Sequence, residues 1–182
     1  MGRGVVSVLR TAVGTPVLAA SLLLAACSAP DPGEGPLVVD FGDELAQEHR
    51  DVLFAAAELE LVAVDPAWPT DESRADPTTL HGYGVRGRAT VTDRDTRLEL
   101  LEALGAAARE NDGMVAACFN PRHAIIAHHG GKTAELIICF ECLTFQVWDG
   151  IERVETVDLS ETPRSLFDRI FGEHGLSIAE RL

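Results

Sequence analysis

Three cysteines and a histidine are the residue types here that could do chemistry. They stand in two short segments, Cys118-Phe119-Asn120-Pro121-Arg122-His123 and Cys139-Phe140-Glu141-Cys142. Cys118, His123, Cys139 and Cys142 make a set of three thiolates and an imidazole, which zinc accepts tetrahedrally, and the C-x4-H and C-x2-C spacings fall near known ranges. Against that, Phe140-Glu141 stand where zinc knuckles use small or polar residues. Residues three apart in a regular strand also point to opposite faces, so Cys139 and Cys142 converge only where a turn or bulge breaks the strand. A second reading is a structural disulfide from Cys118 to Cys139 or Cys142, pinning neighbouring strands. A third is that all three are small buried hydrophobes. Three thiols cannot all pair within one chain, and the sequence leaves these readings open.

Other chemistries fit less well. A thioredoxin-like C-x-x-C opens a helix that lowers the thiol pKa, whereas β-rich Leu143-Thr144-Phe145-Gln146-Val147-Trp148 follows here. Leu143 stands where haem attachment needs histidine. Cys118 and His123 as nucleophile and base lack a nameable orienting residue. Arg122 could contact a carboxylate or phosphate, although pairing with a local acid is the commoner use. His128-His129, beside Gly130-Gly131, read as solvated residues of a turn. Gly82 to Gly87 lacks the strand–glycine–helix setting of nucleotide binding. No Walker loop, HExxH or GxSxG pattern occurs, so a non-enzymatic binding or structural module is the first expectation. A metal or thiol-redox sensor is the second, with zinc the one cofactor to consider.

Positioning these segments falls to the elements around them. Apolar periodicity predicts helices over Asp43–Ala57, Arg94–Glu110 capped by Asp93, and a last one opened by Thr162-Pro163. Strands are predicted at Leu59–Val64, Gly82–Val91, Met114–Phe119, Ala124–His128, Glu135–Phe140 and Leu143–Val147, the last half-buried. Gly130-Gly131 should close a hairpin with a loop of several residues. Asp65 to Pro77 reads as an exposed loop. The order suits an α+β domain with a mainly antiparallel sheet and about three helices covering one face.

The N-terminus reads as an address. Arg3 and Arg10 precede a short apolar stretch from Thr11 to Leu24, with no acid before Asp31. At about 14 residues it is too short for a bilayer, which needs roughly 20, and it has the flanks of a signal peptide. Leu24-Ala25-Ala26-Cys27 resembles the lipobox of bacterial lipoproteins. That resemblance implies removal of residues 1–26 and acylation of Cys27, with two or three chains giving stable anchoring. In a double-membraned organism Ser28 resembles the outer-membrane sorting pattern; otherwise the outer face of the plasma membrane is implied. Residues 27–36, lipidated Cys and a Pro/Gly/acid-rich run, read as a tether, and 37–182 as a single domain.

The two cysteine segments together are similar to an uncharacterised group of bacterial envelope proteins sharing paired CFxPRH and CFEC segments and a closing helix. The resemblance spans roughly residues 55 to 180 and implies a shared domain without an activity.

Charge narrows the partners. Among 182 residues, 15 Lys and Arg face 29 Asp and Glu, a net −14. Such a chain does not bind nucleic acid through phosphate neutralisation, and it has no basic membrane patch. Membrane lipid would be engaged through Cys27, and an unknown protein or envelope component by the domain.

Overall fold

A run of antiparallel strands supplies the frame for both cysteine segments. The computed structural model describes residues 35–180; the expected signal peptide, Cys27 and most of the expected tether lie outside the described residues. The order is α1 (Gln47–Ala55), β1 (Leu59–Val64), α2 (Asp71–Ala75), β2 (Val85–Val91), α3 (Arg94–Glu110), β3 (His123–His129), β4 (Lys132–Cys139), β5 (Thr144–Trp148), β6 (Arg153–Asp158) and α4 (Arg164–Glu173). The six strands form one sheet in the order β2-β1-β3-β4-β5-β6, antiparallel at every pairing. The protein is an α+β domain.

Alternation along the strands sorts their residues onto two faces. Leu59, Leu61, Ile125, Leu136, Ile138, Phe145 and Val147 join a core with Leu53 of α1, Leu100, Leu101 and Leu104 of α3, and Phe167, Ile170 and Phe171 of α4. The three longer helices therefore share one face. Residues facing the other way, Val62, Val64, Ala124, Ile126 and Ile137, form a second cluster with Leu80 and Tyr83. The segment between β1 and β2 lies over that face and carries the short helix α2, which Thr70 caps through the Ser73 amide.

Several elements match their signals closely. The Asp93 carboxylate accepts from the Thr96 amide and opens α3 at Arg94, as a short acceptor before an apolar repeat should. Helix α4 ends beside Gly175, whose φ of +76° suits glycine. Gly130 and Gly131 both take positive φ, 59° and 78°. That is the pattern of a two-residue type I′ turn, so the strands run to His129 and Lys132 and the loop is shorter than expected.

Other expectations are corrected. Helix α1 begins at Gln47 rather than Asp43, because Gly42 at φ +60° and buried Leu45 belong to the preceding turn. Met114–Phe119 is not a strand: β1 already pairs with β2 and β3, and Met114 and Val115 are exposed. β6 went unread because only Val157 of its six residues is buried, the usual appearance of a charged edge strand. β5 is not half-buried, since Thr144 and Gln146 are covered as well as Phe145 and Val147.

Candidate functional site

The link between β4 and β5 is Phe140-Glu141-Cys142-Leu143, a tight turn across the Cys139–Thr144 pair. This is the break in the strand that convergence of the two cysteines requires. The Cys142 amide donates to the Cys139 carbonyl at 3.1 Å, and Leu143 takes φ +58°. Their Cα atoms come to 5.2 Å and the two sulfurs are bonded as a disulfide. The bridge thus lies inside one turn and does not join Cys118 to either partner. Both sulfur-bearing residues are buried, Cys139 at 1% and Cys142 at 0% exposure.

Cys118 arrives from the irregular segment before β3. Ala116 donates its amide to the Cys142 carbonyl at 3.1 Å, laying that segment across the turn. The Asn111 side chain fixes its start, donating to the carbonyls of Met114 and Leu159. Cys118 is exposed and carries a free thiol, with its sulfur 3.7 Å from that of Cys142. Two backbone amides are aimed at the bridge. Asn120 N–H reaches Cys139 Sγ at 3.3 Å and Cys142 Sγ at 3.2 Å, and Cys142 N–H reaches Cys139 Sγ at 3.1 Å. Amides that donate to a sulfur favour its anionic form.

His123 does not join the sulfurs. At the start of β3 it is buried on the helix-covered side, with its Nε2 2.9 Å from Asp168 Oδ1. Its ring packs edge-on against Phe140, Phe167 and Phe171. Cys118, His123, Cys139 and Cys142 therefore do not converge as a ligand set, and no group of three or more His, Cys, Asp or Glu side chains is placed to hold a metal among the described residues.

Arg122 is 4% exposed and meets an internal anion: its Nη1 lies 2.9 Å from Glu141 Oε2, while it also donates to the carbonyls of Asn120 and Glu180. Arg164 of α4 stands 3.6 Å from the other Glu141 oxygen and 3.7 Å from Asp168. The cavity beside Arg122 holds about 10 Å³, barely one water. Arg122, Glu141, Arg164, Asp168 and His123 thus form a chain of ion pairs, ended by the His123–Asp168 hydrogen bond, that ties the cysteine turn to α4. The sequence hinted at this only by placing Glu141 between two cysteines.

A second cluster went unread altogether. His81, at φ +50°, stacks on Trp148 with ring centres 3.8 Å apart, and its Nε2 meets the Glu135 carboxylate. It pins the β1–β2 segment onto the second sheet face, beside an open cleft of about 480 Å³ lined also by Arg74, Arg88 and His128. Partners 54 and 67 positions apart leave no local signature.

No protein-family model, curated protein or solved structure significantly matches the chain. No helix among the described residues is long and apolar enough to cross a membrane.

Proposed function

We propose that this chain is a lipid-anchored cell-envelope protein whose domain is a thiol–disulfide exchange module. The observation that carries the exchange reading is the exposed Cys118 thiol 3.7 Å from a sulfur of the Cys139–Cys142 bridge. Exchange needs an attacking thiolate, a disulfide within reach and a leaving sulfur that tolerates charge. Cys118 supplies the first, and the amides of Asn120 and Cys142 prepare Cys139 to leave. An oxidising envelope is the compartment in which such a bridge persists. Anchoring rests on Arg3, Arg10, the apolar Thr11–Leu24 stretch and the Leu24-Ala25-Ala26-Cys27 tetrapeptide. A purely structural bridge would need no neighbouring thiol, and a zinc set would need His123 turned away from Asp168.

The exchange is tested by following dithiothreitol reduction of the oxidised protein. Cys118→Ser should slow opening of the Cys139–Cys142 bridge at least about 100-fold, because the buried sulfurs lose their exposed relay. Equal rates in the two proteins would contradict the reading. For the anchor, Cys27→Ser should move the protein from the membrane to the soluble envelope fraction. A mutant that stays with the membrane would refute lipidation.

A further inference from the structure

Resting on that exchange reading, we propose that Cys118 is the sole port to solvent of a three-sulfur relay, and that its substrate is a pair of thiols on an apolar segment of a partner protein. Burial imposes the order of sulfurs. Cys139 and Cys142 are covered, whereas Cys118 is exposed, so an outside thiol meets Cys118 first. It cannot usefully attack Cys118 while that residue is a free thiol. The relay must therefore begin inside the protein.

In the first step the Cys118 thiolate attacks Cys142 Sγ. A Cys118–Cys142 bond forms, the Cys139–Cys142 bond breaks, and the electron pair leaves on Cys139. That thiolate receives the amides of Asn120 and Cys142, 3.3 and 3.1 Å away, and takes up the proton that Cys118 released. The new disulfide has one exposed sulfur. A partner thiolate attacks Cys118 Sγ, giving a mixed disulfide and releasing Cys142, which takes up the second proton. The partner's second thiol then attacks its own sulfur in that bond and frees Cys118. The partner has lost two electrons and two protons as its dithiol becomes a disulfide. The protein has gained both, as Cys139 and Cys142 thiols.

The surroundings of the port select the partner. Met114 and Val115, four and three residues before Cys118, are 64% and 54% exposed on a segment without helix or strand. Exposed apolar side chains on the segment that carries the reactive sulfur favour a partner segment with apolar side chains around its cysteines. The net charge of −14 disfavours an acidic one.

The test uses the full chain, oxidised and purified from membranes in detergent, mixed with two synthetic peptides. Each carries a Cys-Gly-Gly-Cys dithiol, flanked by Leu and Val in one and by Asp and Glu in the other. Acid-quenched samples are mapped by mass spectrometry. The expected result is a peptide adduct on Cys118, with the apolar peptide oxidised at least 10-fold faster than the acidic one. Cys118→Ser should lose the adduct and at least 100-fold of the rate while keeping the wild-type thermal melt. An adduct on Cys139 or Cys142, with Cys118→Ser reacting at full speed, would overturn the relay while leaving exchange in place. Equal rates for the two peptides would overturn the partner class. No peptide oxidation by any form would overturn the relay together with the exchange reading beneath it.

Discussion

The turns that bound β4 solve the same geometric problem with opposite chemistry. Between β3 and β4, Gly130 and Gly131 take φ of 59° and 78° with nothing within 4 Å of where a side chain would begin. Between β4 and β5, the positive φ falls on Leu143, a branched residue for which that conformation costs roughly 1–2 kcal/mol. The first turn needs nothing else. The second is held by a disulfide, by amides donating to sulfur, and by a buried arginine on Glu141. Strain that surrounding contacts over-determine is commonly found at functional sites. The difference therefore teaches where the fold stores a constraint and where it merely reverses direction.

That contrast can be broken most severely at Glu141. Glu141→Gln leaves Arg122 buried beside a neutral amide, and removing one partner of such a pair costs about 3 kcal/mol. Denaturant unfolding should show that loss, and the single-turnover opening of the bridge should change with it. A loss below about 1 kcal/mol would mean that Arg122 is satisfied by the carbonyls of Asn120 and Glu180 alone.

Backbone substitutions sharpen the comparison. At Leu143 the glycine variant should exceed the alanine variant in stability by about 1 kcal/mol, since only glycine adopts the left-handed region freely. Gly131→Ala should lose a similar amount, about 1 kcal/mol, with no steric clash to add. If alanine equals glycine at position 143, the cysteine turn is not strained in solution.

The β5–β6 turn supplies the smallest effect. Asp149 there accepts the amides of Ile151 and Glu152 at 3.1 and 3.0 Å, and those backbone bonds, Glu152 first, hold its carboxyl below the usual value of 3.8. Because the folded value is depressed, its support is present above the unfolded value and lost as pH falls through the folded one. Asp149→Asn should therefore lower stability slightly at neutral pH and flatten the acid limb of the curve, the difference from the parent vanishing as pH falls through the folded value. An NMR titration placing Asp149 at or above 3.8 would contradict this.

Much of this architecture was legible where a residue's reason is local. Asp93 and the Leu98–Leu104 repeat announced α3, and the glycine pair announced the β3–β4 turn. The hairpin read at Gly130-Gly131 is present, and its pairing of β3 with β4 brings the two cysteine segments together. What failed depends on partners far along the chain. Met114 and Val115 looked like a strand because apolar runs do, but no sheet edge was open beside β1. Nothing local says that His123 turns toward Asp168, 45 positions away, or that Arg122 meets Glu141. The choice of disulfide partner was also hidden, because it depends on whether the chain turns at Phe140.

The central claim is that one exposed thiol exchanges with a buried bridge. Disulfide mapping of the natively isolated protein, alkylated before unfolding and quenched in acid, tests it most directly. The account predicts one alkylated cysteine, Cys118, a dominant Cys139–Cys142 bridge, and a minor Cys118–Cys142 isomer that is absent from Cys118→Ser. Three free thiols in protein taken from an oxidising compartment, or a single bridge with no second isomer at any exchange time, would contradict it.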